Sequence, residues 1–286
     1  MDDNVLLTVR NLRKNYGSEK AAVAGVNFSF LKGEFVGLLG PNGAGKTTII
    51  KILTGLIKPS SGEVSYYGEE FFENSKRLKA IIGVVPQQNN LDRDLTAYEN
   101  LYLHCLLHGI PKPERSKRIE AFLTFAGLLD VKDKAVKTFS GGMMRRLVIL
   151  RALLHEPEII FLDEPTIGLD PQIRRTIWDF IVTINQTKKT TILLTTHYIE
   201  EAEKLCARVL IIDGGVIITS GTPGELKAAT GKFVLETFKE DKTEENFFEN
   251  KEDAIEAIKN CSYACKIREC TLEDVFLQIT GRKINV

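Results

Sequence analysis

Apolar residues fall into short runs separated by glycine and polar breaks, and the character of those runs changes along the chain. Residues 6–9, 21–30 and 35–39 read as strands. Val26, Phe28 and Phe30 alternate in the second, and Lys32-Gly33 makes the turn out of it. Phe35-Val36-Gly37-Leu38-Leu39 is a continuous apolar run that suits a strand buried on both faces. Lys14-Asn15-Tyr16-Gly17 is turn-like. After a first helix, Pro59-Ser60-Ser61-Gly62 breaks the chain, and residues 63–67 and 81–85 read as further strands.

From about residue 95 to 156 the pattern turns helical. Thr96 can cap a helix over 97–108, Pro111 and Pro113 break the chain, and Ile119, Phe122, Leu123 and Ala126 recur at helical spacing. Strand-like 159–162 comes next, then a helix from Pro171 to about Gln186, a strand at 191–195 and a helix through Leu205. Residues 209–213 and 216–219 form a hairpin across Gly214-Gly215. Alternating strands and helices imply a mostly parallel sheet covered by helices. Past Gly231, residues 233–238 read as a strand, the acidic 239–251 as a loop or frayed element, and Thr271-Leu272-Glu273-Asp274 as the capping box of a last helix.

The expected fold is thus α/β. A mostly parallel core carries an N-terminal antiparallel β-subdomain, an inserted helical subdomain at about 91–156, and a small C-terminal α+β appendage. The boundaries are 1–230 for the main domain and 231–286 for the appendage.

Composition changes this little. The 286 residues are 43% hydrophobic and 27% charged with a formal net charge of +0, an ordinary soluble globular chain with no basic surface for nucleic acid. No run approaches the roughly 20 apolar residues of a membrane-spanning helix. Met1-Asp2-Asp3-Asn4 does not begin a secretory signal. Of 5 cysteines, Cys105 and Cys206 read as core residues. Cys261, Cys265 and Cys270 match neither a zinc-ligand spacing nor a disulfide framework.

Candidate chemistry begins at Gly40-Pro41-Asn42-Gly43-Ala44-Gly45-Lys46-Thr47-Thr48, between the buried strand and a helix. Such a turn points bare N–H groups at an anion, with Lys46 reaching β- and γ-phosphates and Thr47 ligating Mg²⁺. This P-loop context marks a nucleotide-binding protein. Ile159-Ile160-Phe161-Leu162 then delivers Asp163 and Glu164 at a strand tip, where open α/β sheets place ligands. Behind a phosphate loop, Asp163 is expected to hold Mg²⁺ and Glu164 to polarise the attacking water. Phe139-Ser140-Gly141-Gly142-Met143 opens another helix, with Ser140 as N-cap and two glycines baring N–H groups; it reads as an ordinary capped helix start or, more sharply, as a second anion site.

With that order of motifs the chain resembles the ATP-binding-cassette (ABC) ATPases over about residues 5–230. The family's signature sequence sits where Ser140-Gly141-Gly142 does. The resemblance implies that Gln87 forms the glutamine loop touching Mg²⁺ and water. It also implies that Asp170 belongs to an aspartate loop at a dimer interface, that His197 contacts the γ-phosphate, and that Tyr16 stacks on adenine. Two departures are plain: Phe139 replaces the usual leucine, and Met143 replaces glutamine, removing a hydrogen bond toward the nucleotide sugar. His104, His108 and His155 fit no motif and read as helix-face or loop residues, and Arg145 and Arg146 as a solvated pair.

Arg174 and the ending Thr271-Leu272-Glu273-Asp274-Val275-Phe276-Leu277 with Thr280-Gly281-Arg282 look most like the drug-resistance exporter branch. The resemblance implies an ATPase using ATP and Mg²⁺ at the cytoplasmic face of the membrane, as a peripheral subunit of a separate integral-membrane permease. It would close as a homodimer, or as a heterodimer with a second ABC subunit, around ATP. The alternative is a non-transport ABC ATPase acting as an assembly or scaffold factor.

Overall fold

The computed structural model describes residues 4–17, 21–239, 243–259 and 261–281. Met1, Asp2, Asp3 and Arg282 lie outside them. The described strands, in chain order, are β1 (Val5–Lys14), β2 (Val23–Leu31), β3 (Phe35–Leu39), β4 (Ser61–Tyr66), β5 (Glu69–Glu70), β6 (Ile82–Val85), β7 (Ile159–Asp163), β8 (Thr191–Thr196), β9 (Arg208–Asp213), β10 (Val216–Gly221), β11 (Phe233–Phe238), β12 (Thr243–Phe248) and β13 (Ala264–Glu269). The helices are α1 (Lys46–Leu53), α2 (Ser75–Leu78), α3 (Ala97–Leu107), α4 (Lys112–Phe125), α5 (Gly141–Leu153), α6 (Pro171–Lys188), α7 (Ile199–Leu205), α8 (Pro223–Thr230), α9 (Lys251–Lys259) and α10 (Leu272–Thr280).

The central sheet has the order β10-β9-β3-β8-β7-β6. Its strands pair in parallel except for β10, which forms the hairpin with β9. It is buried on both faces, and its side chains divide with period two. Phe35, Leu39, Ile160, Leu162, Ile192 and Leu194 pack on one side with the helices. Val36, Leu38, Ile159, Phe161 and Leu193 pack on the other, with α1 and the antiparallel sheet β2-β1-β4-β5. The parallel register sets Leu39 beside Thr196 and Asp163 beside Thr195, so the tips of β3, β7 and β8 end level. That alignment builds the site.

Helices α3, α4 and α5 fill the interval between β6 and β7, as the periodicity predicts. A capping box of Thr96 and Glu99 starts α3. Pro113 does not break the chain, because it occupies the first turn of α4, where its missing N–H has no intrahelical partner to lose. Similarly, Ser61 and Gly62 already belong to β4.

The third sheet, β12-β11-β13, lies past Gly231. The acidic stretch expected to be a loop or a frayed element is corrected here: residues 243–248 form β12, and Lys251 begins α9. Glu236 and Glu245 face each other across β11 and β12, a repulsive pair taken alone. Arg268 from β13 lies 2.5 Å from Glu236 and 3.4 Å from Glu245 and neutralises both. The final helix behaves as expected, with the Thr271 N–H and hydroxyl donating to Asp274 Oδ2 at 2.7 and 2.9 Å. Its Leu272, Val275 and Phe276 are buried in the same apolar cluster as Ala202, Cys206 and Leu226. Each such side chain contributes about 1.5–3 kcal/mol to docking α10 on the central unit.

Candidate functional site

Strand β3 runs into the loop at Gly40 and the loop into α1. Gly43 and Gly45 take φ of 81° and 108°, open to glycine and strained for other residues. A Cβ on Gly40 would stand 2.2 Å from the Ile212 carbonyl oxygen, and one on Gly45 2.5 Å from that of Ala22. The glycines therefore let the loop curl and let the neighbouring backbone close against it. Pro41, Asn42, Ala44 and Thr48 complete the curl, with Ala44 buried and Asn42 exposed.

Lys46 is 4% exposed, and its Nζ donates to the carbonyls of Gly40 and Pro41 at 2.8 and 3.1 Å. Burial lowers its pKa, against the opposing pull of Glu164 and Asp163. Thr47 Oγ1 donates to Asp163 Oδ1 at 3.2 Å, and Thr195 Oγ1 donates to the same oxygen at 2.7 Å. Thr195, unremarked in the sequence, thus fixes the acid from the neighbouring strand.

Glu164 is where the candidate groups meet. Its Oε1 lies 3.2 Å from Lys46 Nζ; its Oε2 accepts from Gln87 Nε2 at 3.4 Å and lies 3.2 Å from His197 Nδ1 without hydrogen-bond alignment. Its backbone sits at φ 46°, a left-handed conformation that costs a non-glycine residue energy and concentrates at functional sites. The Glu164 N–H holds the bend by donating to the Thr195 carbonyl and hydroxyl, both at 3.1 Å.

A cavity of about 220 Å³ lies over the loop, lined by Ala22, Asn42, Gly43, Gly45, Lys46, Thr47, Thr48, Gln87 and Glu164. Ser140, Gly141, Gly142, Asp170 and Tyr16 are not among its lining residues. Ser140 caps α5, its exposed Oγ accepting from the Met143 N–H at 3.3 Å. Asp170 caps α6 by accepting from the N–H groups of Gln172 and Ile173 at 3.1 and 3.0 Å. Tyr16 is 57% exposed, with Lys14 Nζ 5.3 Å from its ring centroid. Phe139 is a buried anchor, and Met143 packs against the apolar core.

Arg145 and Arg146 are not a solvated pair. Arg145 is 3% exposed and donates to the carbonyls of Pro165 at 2.5 Å and Pro86 at 2.7 Å. Burial pulls its guanidinium down to about 10, against the pull of Glu201 and Asp163. Arg146 donates to the Ala126 carbonyl at 2.7 Å at the end of α4. The sequence signal for Arg145 is its place on the buried stripe Gly142, Arg145, Ile149 and Ala152. His104, His108 and His155 are not scattered either: their ligand nitrogens lie within 4.8 Å of one another.

A phosphate loop between a buried strand and a helix, facing acids on a neighbouring strand tip, defines a P-loop nucleotide-binding ATPase. Comparison with known proteins gives the particular family. The family model described as ABC transporter matches residues 23–167, and one described as an AAA domain matches 138–201. The chain is 45% identical over 221 residues to the Nod factor export ATP-binding protein I of Ralstonia nicotianae, covering 77% of this chain and 68% of that protein. The protein of the same name in Cupriavidus metallidurans is 38% identical, with 98% of each covered. The linearmycin resistance ATP-binding protein LnrL of Bacillus subtilis is 42% identical, with 79% and 72% covered. Among solved structures, CbiO1 from Clostridium perfringens, part of the ABC transporter complex CbiONQ, superposes with TM-score 0.73 at 30% identity, covering 78% of this chain and 90% of that one. A dimeric post-hydrolysis cassette, MJ0796 bound to ADP and Pi, gives 0.68 at 30%, with 76% and 98% covered. The chain belongs to the ABC transporter family, as an ATP-binding subunit with ATPase activity. These relatives lend no support to the assembly or scaffold alternative.

Proposed function

We propose that the chain drives an exporter, closing around ATP as a dimer and passing that closure to a separate membrane permease. The observation that carries this is the convergence of Lys46, Gln87 and His197 on Glu164, with Ser140 and its glycines outside the cavity that Lys46, Gln87 and Glu164 border. At about 220 Å³ the cavity is smaller than the roughly 300–1,000 Å³ of a complete small-molecule site. A second subunit's signature helix would supply the missing wall.

In this reading the loop N–H groups and Lys46 bind the phosphates, Glu164 takes the proton from the attacking water, and His197 and Gln87 orient the γ-phosphate and that water. The oxygen donors of Thr47 and Asp163, with Gln87 alongside, suit Mg²⁺ and would hold it, where it would supply positive charge to offset that of the phosphates. Asp170 acts at the dimer interface and Tyr16 against the adenine. Residues 1–230 form the ATP-binding unit and 231–286 an appendage.

The named relatives act in Nod factor export and linearmycin resistance, which supports the exporting direction. Among the described residues no helix is long and apolar enough to cross a membrane. A permease partner would hold the chain as a peripheral subunit at the cytoplasmic face. Leu103, Leu106 and Leu107 leave α3 with 48%, 46% and 83% exposure, an apolar edge on the helical block for the permease. Co-purification from native membranes tests the reading. An integral-membrane partner is expected; a soluble partner alone overturns it.

A further inference from the structure

Three of the chain's 4 histidines, His104, His108 and His155, come together on the helical block. His104 lies on α3 and His108 caps its C-terminus one turn on, its N–H donating to the His104 carbonyl at 3.0 Å, so the two share a face. His155 arrives from the segment after α5, and its Nε2 lies 2.9 Å from the Ile82 carbonyl oxygen at the start of β6. A carbonyl only accepts, so that nitrogen carries the proton and His155 Nδ1 presents a lone pair. Metal-ligating histidines are commonly oriented by such a bond from the other ring nitrogen.

His155 Nδ1 faces His104 Nε2 at 3.4 Å. This is longer than the about 2.7–3.2 Å of an ordinary N–H hydrogen bond. It matches the separation of about 3.3–3.4 Å that two nitrogens take on a tetrahedral zinc ion with Zn–N distances of about 2.0–2.1 Å. The His108 ring is exposed and stacks on His155 at 3.9 Å, so a rotation of that free side chain brings in a third nitrogen.

We propose that His104, His108 and His155 form a binding site for a zinc-class divalent transition metal, open at its fourth position. Imidazole donors select zinc, nickel, cobalt or copper over magnesium and calcium. The groove leading to the cluster, about 410 Å³, also carries Lys79 and Arg151. The fourth position therefore faces a positive wall and takes water or an anion. A metal held here ties α3 to the end of α5 and, through the Ile82 carbonyl, to the edge strand β6. It fastens the helical block to the sheet.

The test uses the full chain purified without a histidine tag, in excess Mg²⁺ and without nucleotide, titrated with Co²⁺ and then displaced with Zn²⁺. One equivalent of Co²⁺ is expected to give the visible bands of a tetrahedral nitrogen–oxygen site, without thiolate charge transfer. His104→Gln and His155→Gln are each expected to weaken binding by at least the about 10–100-fold that loss of an outer partner alone costs. His108→Ala, at an exposed position, controls for misfolding and is expected to weaken binding with circular dichroism unchanged. Binding that survives these variants, or that disappears in Cys261→Ser/Cys265→Ser/Cys270→Ser, overturns the proposal.

Discussion

Lys46 Nζ and Glu164 Oε1 lie 3.2 Å apart, with both side chains less than a tenth exposed. The pair joins the tip of β7 to the first residue of α1, and so joins the two halves of the candidate chemistry. Phosphates approaching Lys46 compete with Glu164 for its protons. Nucleotide entry would thereby loosen the carboxylate and leave it between Gln87 and His197.

Glu164→Gln keeps the size of the side chain and removes its basicity. ATP binding is expected to persist, since no phosphate contact is lost and the hold on Lys46 weakens. Turnover is expected to fall by at least the about 10²–10⁴-fold carried by a positioned base. ATP-bound dimers should accumulate, visible by light scattering. Turnover near wild type would remove Glu164 as the base.

Ser140 tests the second wall. Its hydroxyl caps α5 through one bond of 3.3 Å, worth about 1 kcal/mol, so substitution should leave the fold intact. Ser140→Arg places a long cation at the exposed helix N-terminus. It is expected to block ATP-induced dimerisation while nucleotide binding to the single subunit stays measurable. Dimers that still form would show that the signature helix is not part of a composite site.

The readable parts of this chain are those whose partners lie nearby in sequence or are dictated by period. The apolar run before Gly40, Asp163 after Leu162 and the Thr271 capping box all speak locally, and all take the expected backbone form. Arg145, the histidine cluster and β12 did not speak locally. Arg145 is buried because two distant carbonyls, at Pro86 and Pro165, need its donors. The cluster needs His155 brought up to α3 by the end of α5. Strand β12 needs Arg268, from another strand, to make its carboxylates tolerable. Each is a polar pairing made by topology, which local hydrophobic pattern does not carry.

Arg145 yields its own prediction. It binds the signature helix to the Gln87 loop on one side and to Pro165, next to Glu164, on the other. Arg145→Met would strand the buried Pro165 carbonyl, at about 1–3 kcal/mol, and the partly buried Pro86 carbonyl at less, and lower the melting temperature. Turnover should fall as well, because both loops lose their common brace. Arg145→Lys should not restore it, since one ammonium does not reproduce the planar fork. Full rescue by lysine would reduce the role of Arg145 to charge alone.

The appendage is expected to respond to acid through Asp274. Burial alone would raise this carboxyl, but Arg268, at 2.6 and 2.8 Å, and Thr271 outweigh it and lower the pKa. A depressed folded value means the stabilisation is fully present above the ordinary aspartate value of 3.8 and is lost as pH falls through the lower folded one. Protonation then removes the carboxylate that both caps α10 and anchors Arg268. Hydrogen exchange across residues 272–280 should rise below that pH in the native chain. In Asp274→Asn it should be raised at neutral pH already, and the acid step should shrink to what Glu236 and Glu245, the other carboxylates on Arg268, contribute. Equal protection of α10 in both proteins through the whole window would mean that the apolar contacts of Leu272, Val275 and Phe276 hold the helix without this ion pair.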